Sequence, residues 1–234
     1  MLLKSLQKSL REIADPNIAK HSMRFFKTGK GEYGEGDRFL GIRVPVLRQL
    51  AKKYRDIGLS DIKKIIQSSF HEERLCALII LVEKFSKGTE KEKTDIFNLY
   101  LGIIKNINNW DLVDSSAHYI IGVYLENRSR DILYKMAESD NIWERRIAIM
   151  STFHLIKKNM FKDALKISEV LLKDKEDLIH KAVGWMLREI GKRDILAEKN
   201  FLDKHYHDMP RTMLRYSIEK FQEKDRQKYL KGVI

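Results

Sequence analysis

The chain is poor in the residues that staple, ligate or break a scaffold. Its single cysteine, Cys76, excludes an internal disulfide and an iron–sulfur cluster, and no Cys/His cluster has zinc-ligand spacing. Glycine (12) and proline (3) are scarce. No stretch joins two-residue alternation to hairpin punctuation, so a β-architecture is excluded. The longest uncharged apolar run, Leu75 to Val82, has eight residues, too few to span a bilayer. The start, Met1-Leu2-Leu3-Lys4-Ser5-Leu6-Gln7-Lys8, is charged every few residues and lacks the apolar stretch of a signal peptide. A soluble protein of a reducing, cytoplasmic compartment is expected, without structural metal or cofactor.

What is abundant is charge and helical periodicity. Charged residues make up 33% of the 234, and Lys+Arg outnumber Asp+Glu 45 to 33, a formal net charge of +12. Such an excess points to a polyanionic partner, most simply nucleic acid. A proteome that drifts basic as a whole would give the same count. Apolar positions recur at three- and four-residue steps in fourteen stretches, from Leu2–Ala14 through Leu112–Leu125 and Ile195–His205 to Arg226–Val233. That period predicts an all-α chain of short helices.

The helices repeat. Ala77, Ala148, Ala182 and Ser217 each sit inside an apolar helical stretch preceded by basic residues, at steps of 71, 34 and 35. The first step leaves room for one more unit around Ser115–Ala117. A period near 35 with two helices per unit is the mark of a HEAT-like α-solenoid, with small residues where helices stack closely. One domain, 1–234, and a monomer are expected.

One stretch departs from this pattern. Lys27 to Ile42 holds five of the twelve glycines and reads as an ordered loop, ended where Pro45 starts a helix. Glycine loops can cradle phosphate through backbone N–H groups. This one lacks the Gly-Lys-Ser/Thr ending of a nucleotide P-loop and no strand precedes it. It is expected to pack Tyr33 and Phe39 and close one end of the stack.

The most informative segment is Asn108-Asn109-Trp110-Asp111-Leu112-Val113-Asp114. Asn109 is a good N-cap, so Trp110 opens a helix and Asp114 follows one turn later on the same face. Asp111, in the first turn, is explained by the helix dipole alone. An unpaired Asp buried beside a Trp is costly, so a cleft suits the pair better, though a Trp at helical spacing is commonly core. In a basic chain, an acidic and aromatic cleft suits a cation embedded in a polyanion. Farther on, Arg145 and Arg146 point about 100° apart on their helix, so only one can share a ligand-facing side. Lys181, Trp185 and Arg188 share one helical stripe, which suits a surface that stacks bases beside phosphates. Gly184 beside Trp185 would let another backbone approach.

Three motifs in order, Trp110-Asp111-Leu112-Val113-Asp114, then Arg145-Arg146-Ile147-Ala148-Ile149, then Lys181-Ala182-Val183-Gly184-Trp185-Met186-Leu187-Arg188-Glu189, resemble the AlkD family of alkylpurine DNA glycosylases. The resemblance covers essentially the whole chain, including the Gly-Glu-Tyr-Gly-Glu-Gly-Asp loop. It implies a right-handed superhelical stack of antiparallel helix pairs whose basic concave face binds duplex DNA containing alkylated purines. It carries the catalytic carboxylate onto Asp114, the lesion-flanking aromatics onto Trp110 and Trp185, and the active-site arginine onto Arg146. Tyr33, Lys30, Arg38, Arg43, Arg48, Arg145, Lys181, Arg188, Arg211 and Arg215 are candidate DNA-backbone contacts. Some relatives lack the aspartate and tryptophans and are non-catalytic; this chain has them all. A non-catalytic nucleic-acid-binding module and a protein-interaction scaffold are the competing readings.

Overall fold

A computed structural model describes residues 2–234. The chain forms two compact units, one ending at Ile120 and one beginning at Ile121. In the first, the helices are α1 (Leu2–Glu12), α2 (Pro16–Phe25), α3 (Val44–Lys53), α4 (Leu59–Ile65), α5 (His71–Lys87), α6 (Glu90–Ile103) and α7 (Trp110–Asp114). The second holds α8 (Asp131–Ala137), α9 (Ile142–Lys157), α10 (Lys162–Val170), α11 (Asp177–Gly191), α12 (Ile195–His205), α13 (Arg211–Ser217) and α14 (Glu223–Lys231). Extended pairing among the described residues is limited to one isolated bridge between Arg38 and Phe70. The fold class is all-α, as the periodicity predicts.

Local chemistry sets the helix starts. Asp15 accepts from the amides of Asn17 and Ile18 at 2.8 and 3.2 Å with Pro16 at the first helical position. Thr89 and Glu92 form a reciprocal capping box at α6. Asn141 and Asp194 cap α9 and α12. Each satisfies amides that have no intrahelical partner.

In the first unit α5 is central: it packs against α3, α4, α6 and α7, and nearly all of His71 to Leu81 is buried. In the second, α9, α11 and α13 stack in succession, with α8, α10 and α12 as their companions. Short connections make consecutive helices antiparallel, so each unit is built of HEAT-like helix pairs. Ala77, Ala148, Ala182 and Ser217 are all 0% exposed, as are Ser116 and Ala117 where a further repeat was expected. Each fully buried Leu or Ile between the layers contributes about 1.5–3 kcal/mol.

The basic residues that precede these helices serve the turn itself. Arg74 Nη1 donates back to the Ser68 carbonyl at 2.7 Å, Arg145 Nη1 to Ser139 at 2.9 Å, and His180 Nε2 bonds the Asp174 carbonyl at 2.6 Å. All three span six residues, so one basic-type side chain clamps the same kind of turn ahead of three of the stacked helices.

Leu112–Leu125, which the apolar period reads as one helix, is interrupted. After Asp114 the hydroxyls of Ser115 and Ser116 donate to the Leu112 carbonyl at 3.3 and 2.6 Å, competing with the backbone ladder. The chain resumes through a π-helical turn, His118–Gly122.

Candidate functional site

The site in the first unit is built on α7. Asn109 Oδ1 accepts from the Trp110 amide at 2.9 Å, as its N-cap role predicts, and Leu112 and Val113 anchor the helix in the core. Trp110 and Asp114, one turn apart, are each half-buried. Trp110 stacks on Phe26 (centroids 5.3 Å, 25°) and meets the edge of Phe25 at 6.0 Å. Phe25 closes α2 and is 57% exposed, so an aromatic surface reaches solvent there. Asp114 lies in the field of the buried Tyr100 hydroxyl and raises its pKa, adding to the larger effect of burial. Tyr100 pairs with Ser116 Oγ at 2.8 Å. Because Ser116 donates to Leu112, Tyr100 is the donor in that pair.

Beneath α7 lies a charged network that sequence reasoning missed. His71, 1% exposed, sits between two carboxylates, with Nδ1 2.9 Å from Asp37 Oδ2 and Nε2 2.7 Å from Asp111 Oδ2. Arg74 donates to Asp37 and, at 3.0 Å, to Asn108 Oδ1. Burial alone would lower the His71 pKa. The charge and hydrogen bond of Asp111, with those of Asp37, outweigh it and lift the imidazole to about 9. Burial pushes the Asp37 carboxyl up, and the His71 and Arg74 contacts more than reverse it, holding Asp37 below the ordinary carboxylate range. Asp111 therefore does more than favour the helix dipole. Its Oδ2 engages His71 and its Oδ1 accepts from the Leu112 amide at 2.9 Å. No local signal betrays this, because His71 is 40 residues away in sequence.

The glycine loop is clipped onto the same place. Glu72 accepts from the amides of Leu40, Gly41 and Ile42 at 2.7–3.1 Å. Gly41 has φ +82°, and a Cβ there would fall 2.0 Å from the Asp15 carbonyl oxygen, so only glycine fits. Phe39 is buried, stacking on His71 at 4.5 Å and Phe26 at 5.1 Å. Two amides of the kind that cradle phosphate are taken internally: Gly29 donates to Glu32 and Gly31 to Glu35, each at 2.8 Å.

In the second unit Trp185 is half-buried on α11, its indole N–H donating to Glu189 Oε1 at 3.2 Å and its ring 5.9 Å from Phe153. Gly184 brings α13 close as expected: an added Cβ would lie 2.5 Å from the Met213 carbonyl oxygen and 2.5 Å from Tyr216 Cβ. Arg146, 5% exposed, donates to the Leu178 carbonyl at 2.5 Å. Arg145 grips Asp174, Nε to Oδ2 at 2.6 Å and Nη2 to Oδ1 at 3.3 Å.

The other cations are placed as follows. Lys30, Arg43, Arg48 and Arg215 are exposed and Tyr33 is half-buried. Arg38 lies over the Phe70 ring at 4.5 Å. Lys181 pairs with Asp177 at 2.7 Å, Arg188 with Glu219, and Arg211 donates to the Leu230 carbonyl at 2.9 Å. The Lys181–Trp185–Arg188 stripe thus carries a carboxylate at each position. Among the described residues no cluster of three or more His, Cys, Asp or Glu could hold a metal, and no helix is long and apolar enough to cross a membrane.

A family model described as DNA alkylation repair enzyme matches residues 6–221. Among solved structures the chain is similar to a predicted DNA alkylation repair enzyme from Enterococcus faecalis. The TM-score is 0.70 at 17% identity, over 90% of this chain and 97% of that one. It is also similar to AlkD2 from Streptococcus mutans, with a TM-score of 0.55 at 17% identity, over 94% and 97% of the two chains. At these identities the likeness is one of fold. No curated protein matches.

Proposed function

The chain belongs to the family of DNA alkylation repair enzymes, and from the carboxylate and tryptophan set one turn apart on α7 we propose that it is a monofunctional DNA glycosylase. It hydrolyses the N-glycosidic bond of cationic N3- and N7-alkylated purines in duplex DNA, with residues 1–234 acting as one repair domain. The observation that carries this reading is that Asp114 lies half-buried one turn from Trp110, whose ring belongs to an aromatic surface that reaches solvent at Phe25.

An alkylated purine already carries a positive charge and departs as a neutral base, so no strong general acid is needed. The sugar left behind is oxocarbenium-like, and water attacks C1′ with release of a proton. A carboxylate about 4 Å from that developing charge is worth roughly 4 kcal/mol at an effective dielectric near 20, about a thousandfold in rate. Asp114 takes this role and orients the water. Trp110 offers its π-face to the cationic base, worth about 0.5–2 kcal/mol. Because only the damaged base is cationic, the same contacts supply selectivity. The resemblance adds Trp185 as a lesion-facing aromatic and Arg146 as the group that holds a backbone phosphate.

The test is single-turnover release of 7-methylguanine from duplex DNA by the wild-type chain and by Asp114→Asn. Release by wild type, with loss of about three orders of magnitude in the variant and retained DNA binding, is the expected result. Release by the variant at the wild-type rate would remove Asp114 from the chemistry. DNA bound without release by either chain would leave a binding module.

A further inference from the structure

We propose that His71 is a positioning residue for the reaction at Asp114: as an imidazolium bridging Asp37 and Asp111, it fixes α7 against α5 and the glycine loop. The inference rests on the glycosylase reading.

Helix α7 has five residues, too few to hold its own orientation. It packs against α5, and His71 is the first residue of α5. A neutral imidazole has one donor and one acceptor, so one of the two facing carboxylates would meet a lone pair. The imidazolium donates to both, at 2.9 and 2.7 Å. The charges then balance, His71 and Arg74 against Asp37 and Asp111, in a site where His71, Asp37 and Arg74 are buried and Asp111 is partly so. The neighbouring acids face elsewhere: Glu72 holds the loop amides, and Glu73 accepts from Gln7 and Arg11 at 3.0 Å each. His71 meets Trp110 by a second route, since its ring lies 5.1 Å from Phe26, which stacks on Trp110. Hydrogen bonding through Asp111 and stacking through Phe26 converge on the two groups that act on the lesion. Removing the proton leaves one carboxylate oxygen facing an imidazole lone pair and slackens α7.

Two measurements on the full chain test this. The first is the pH profile of single-turnover 7-methylguanine release at saturating duplex for wild type and His71→Gln, with affinity for undamaged duplex measured in parallel. Wild type should lose rate on the alkaline side with a midpoint near pH 9. The variant should be slower at neutral pH by about tenfold to a hundredfold, the cost of a small misplacement, should lack that alkaline limb, and should bind duplex as wild type does. The second is a nitrogen NMR titration of the His71 ring, read together with the Trp110 indole resonance, on wild type without DNA. Both ring nitrogens should be protonated at neutral pH, and the indole should shift as they titrate. A folded variant with the wild-type rate and alkaline limb would overturn the role, and so would a neutral ring at neutral pH. If the variant fails to fold, the wild-type titration decides. If wild type releases no base, the glycosylase reading falls on that result alone, and the titration still decides whether His71 holds α7.

Discussion

Replacing Gly184 by alanine tests how closely α11 and α13 pack. A Cβ at that position would lie 2.5 Å from the Met213 carbonyl oxygen and from Tyr216 Cβ, and 3.2 Å from the Ser217 amide nitrogen. The first two fall close to an ångström short of ordinary contact. Neither blocking atom is the tip of a flexible side chain, so α13 itself must move. Overpacking of this kind costs about 1–3 kcal/mol, here toward the upper end. Alanine returns up to about 1 kcal/mol through its better helix propensity, leaving a net loss of about 2 kcal/mol. For a chain of this size that lowers Tm by roughly 4–8 °C. Gly102 in α6 is the internal control, because a Cβ there meets nothing within 4 Å. Gly102→Ala should therefore gain about 0.5–1 kcal/mol. Thermal and urea unfolding followed by far-UV circular dichroism reads both signs. If Gly184→Ala proved as stable as wild type or more so, the close approach beside Trp185 would be wrong.

Glu198 is 1% exposed, and burial pushes its carboxyl up to about 8 against the pull of Arg188. For a group whose folded value is raised, the stability it gives is complete below its ordinary value near 4.5 and is lost as pH rises through about 8. His71, raised from 6.5 to about 9, acts in the same direction with its own loss centred higher. Wild type should therefore unfold progressively more easily as pH rises from about 4.5 to about 9, Glu198 acting over the lower part of that range and His71 over the upper. Glu198→Gln should remove the lower part of that slope, on the order of 4 kcal/mol; an unchanged slope would contradict the burial argument. DNA affinity should fall with salt by about 0.9 in log K per log unit of salt for each phosphate neutralised, and a slope near zero in a filter-binding titration would remove the nucleic-acid reading.

The helices were legible because a half-buried helix writes its burial into a 3.6-residue period. All fourteen stretches contain helix, and Ile195–His205 has the boundaries of α12. The Asn109 cap and the close approach at Gly184 were legible for a similar reason, since each is a local property of one residue type. The interruption after Asp114 was not, because Ser115 and Ser116 are compatible with a helix until their hydroxyls choose the Leu112 carbonyl. Nor was the role of Asp111, whose partner lies on another helix. The basic residues ahead of the stacked helices were legible as a recurring feature, but their bonds back to the preceding turn were not. In the fold Arg74 and Arg145 clamp turns.

Those clamps bear on how a polyanion meets the molecule. Arg74 carries Asp37 with it and Arg145 carries Asp174, so both arginines that clamp these turns arrive with an anion of their own. Pairs of this kind are silent at a distance, cancelling within a few ångströms. The scaffold can therefore be repeated or extended without altering the charge displayed outside. The net charge of +12 survives the architecture undiminished, and selection can adjust the affinity for a charged partner without disturbing the joints that hold the repeats together.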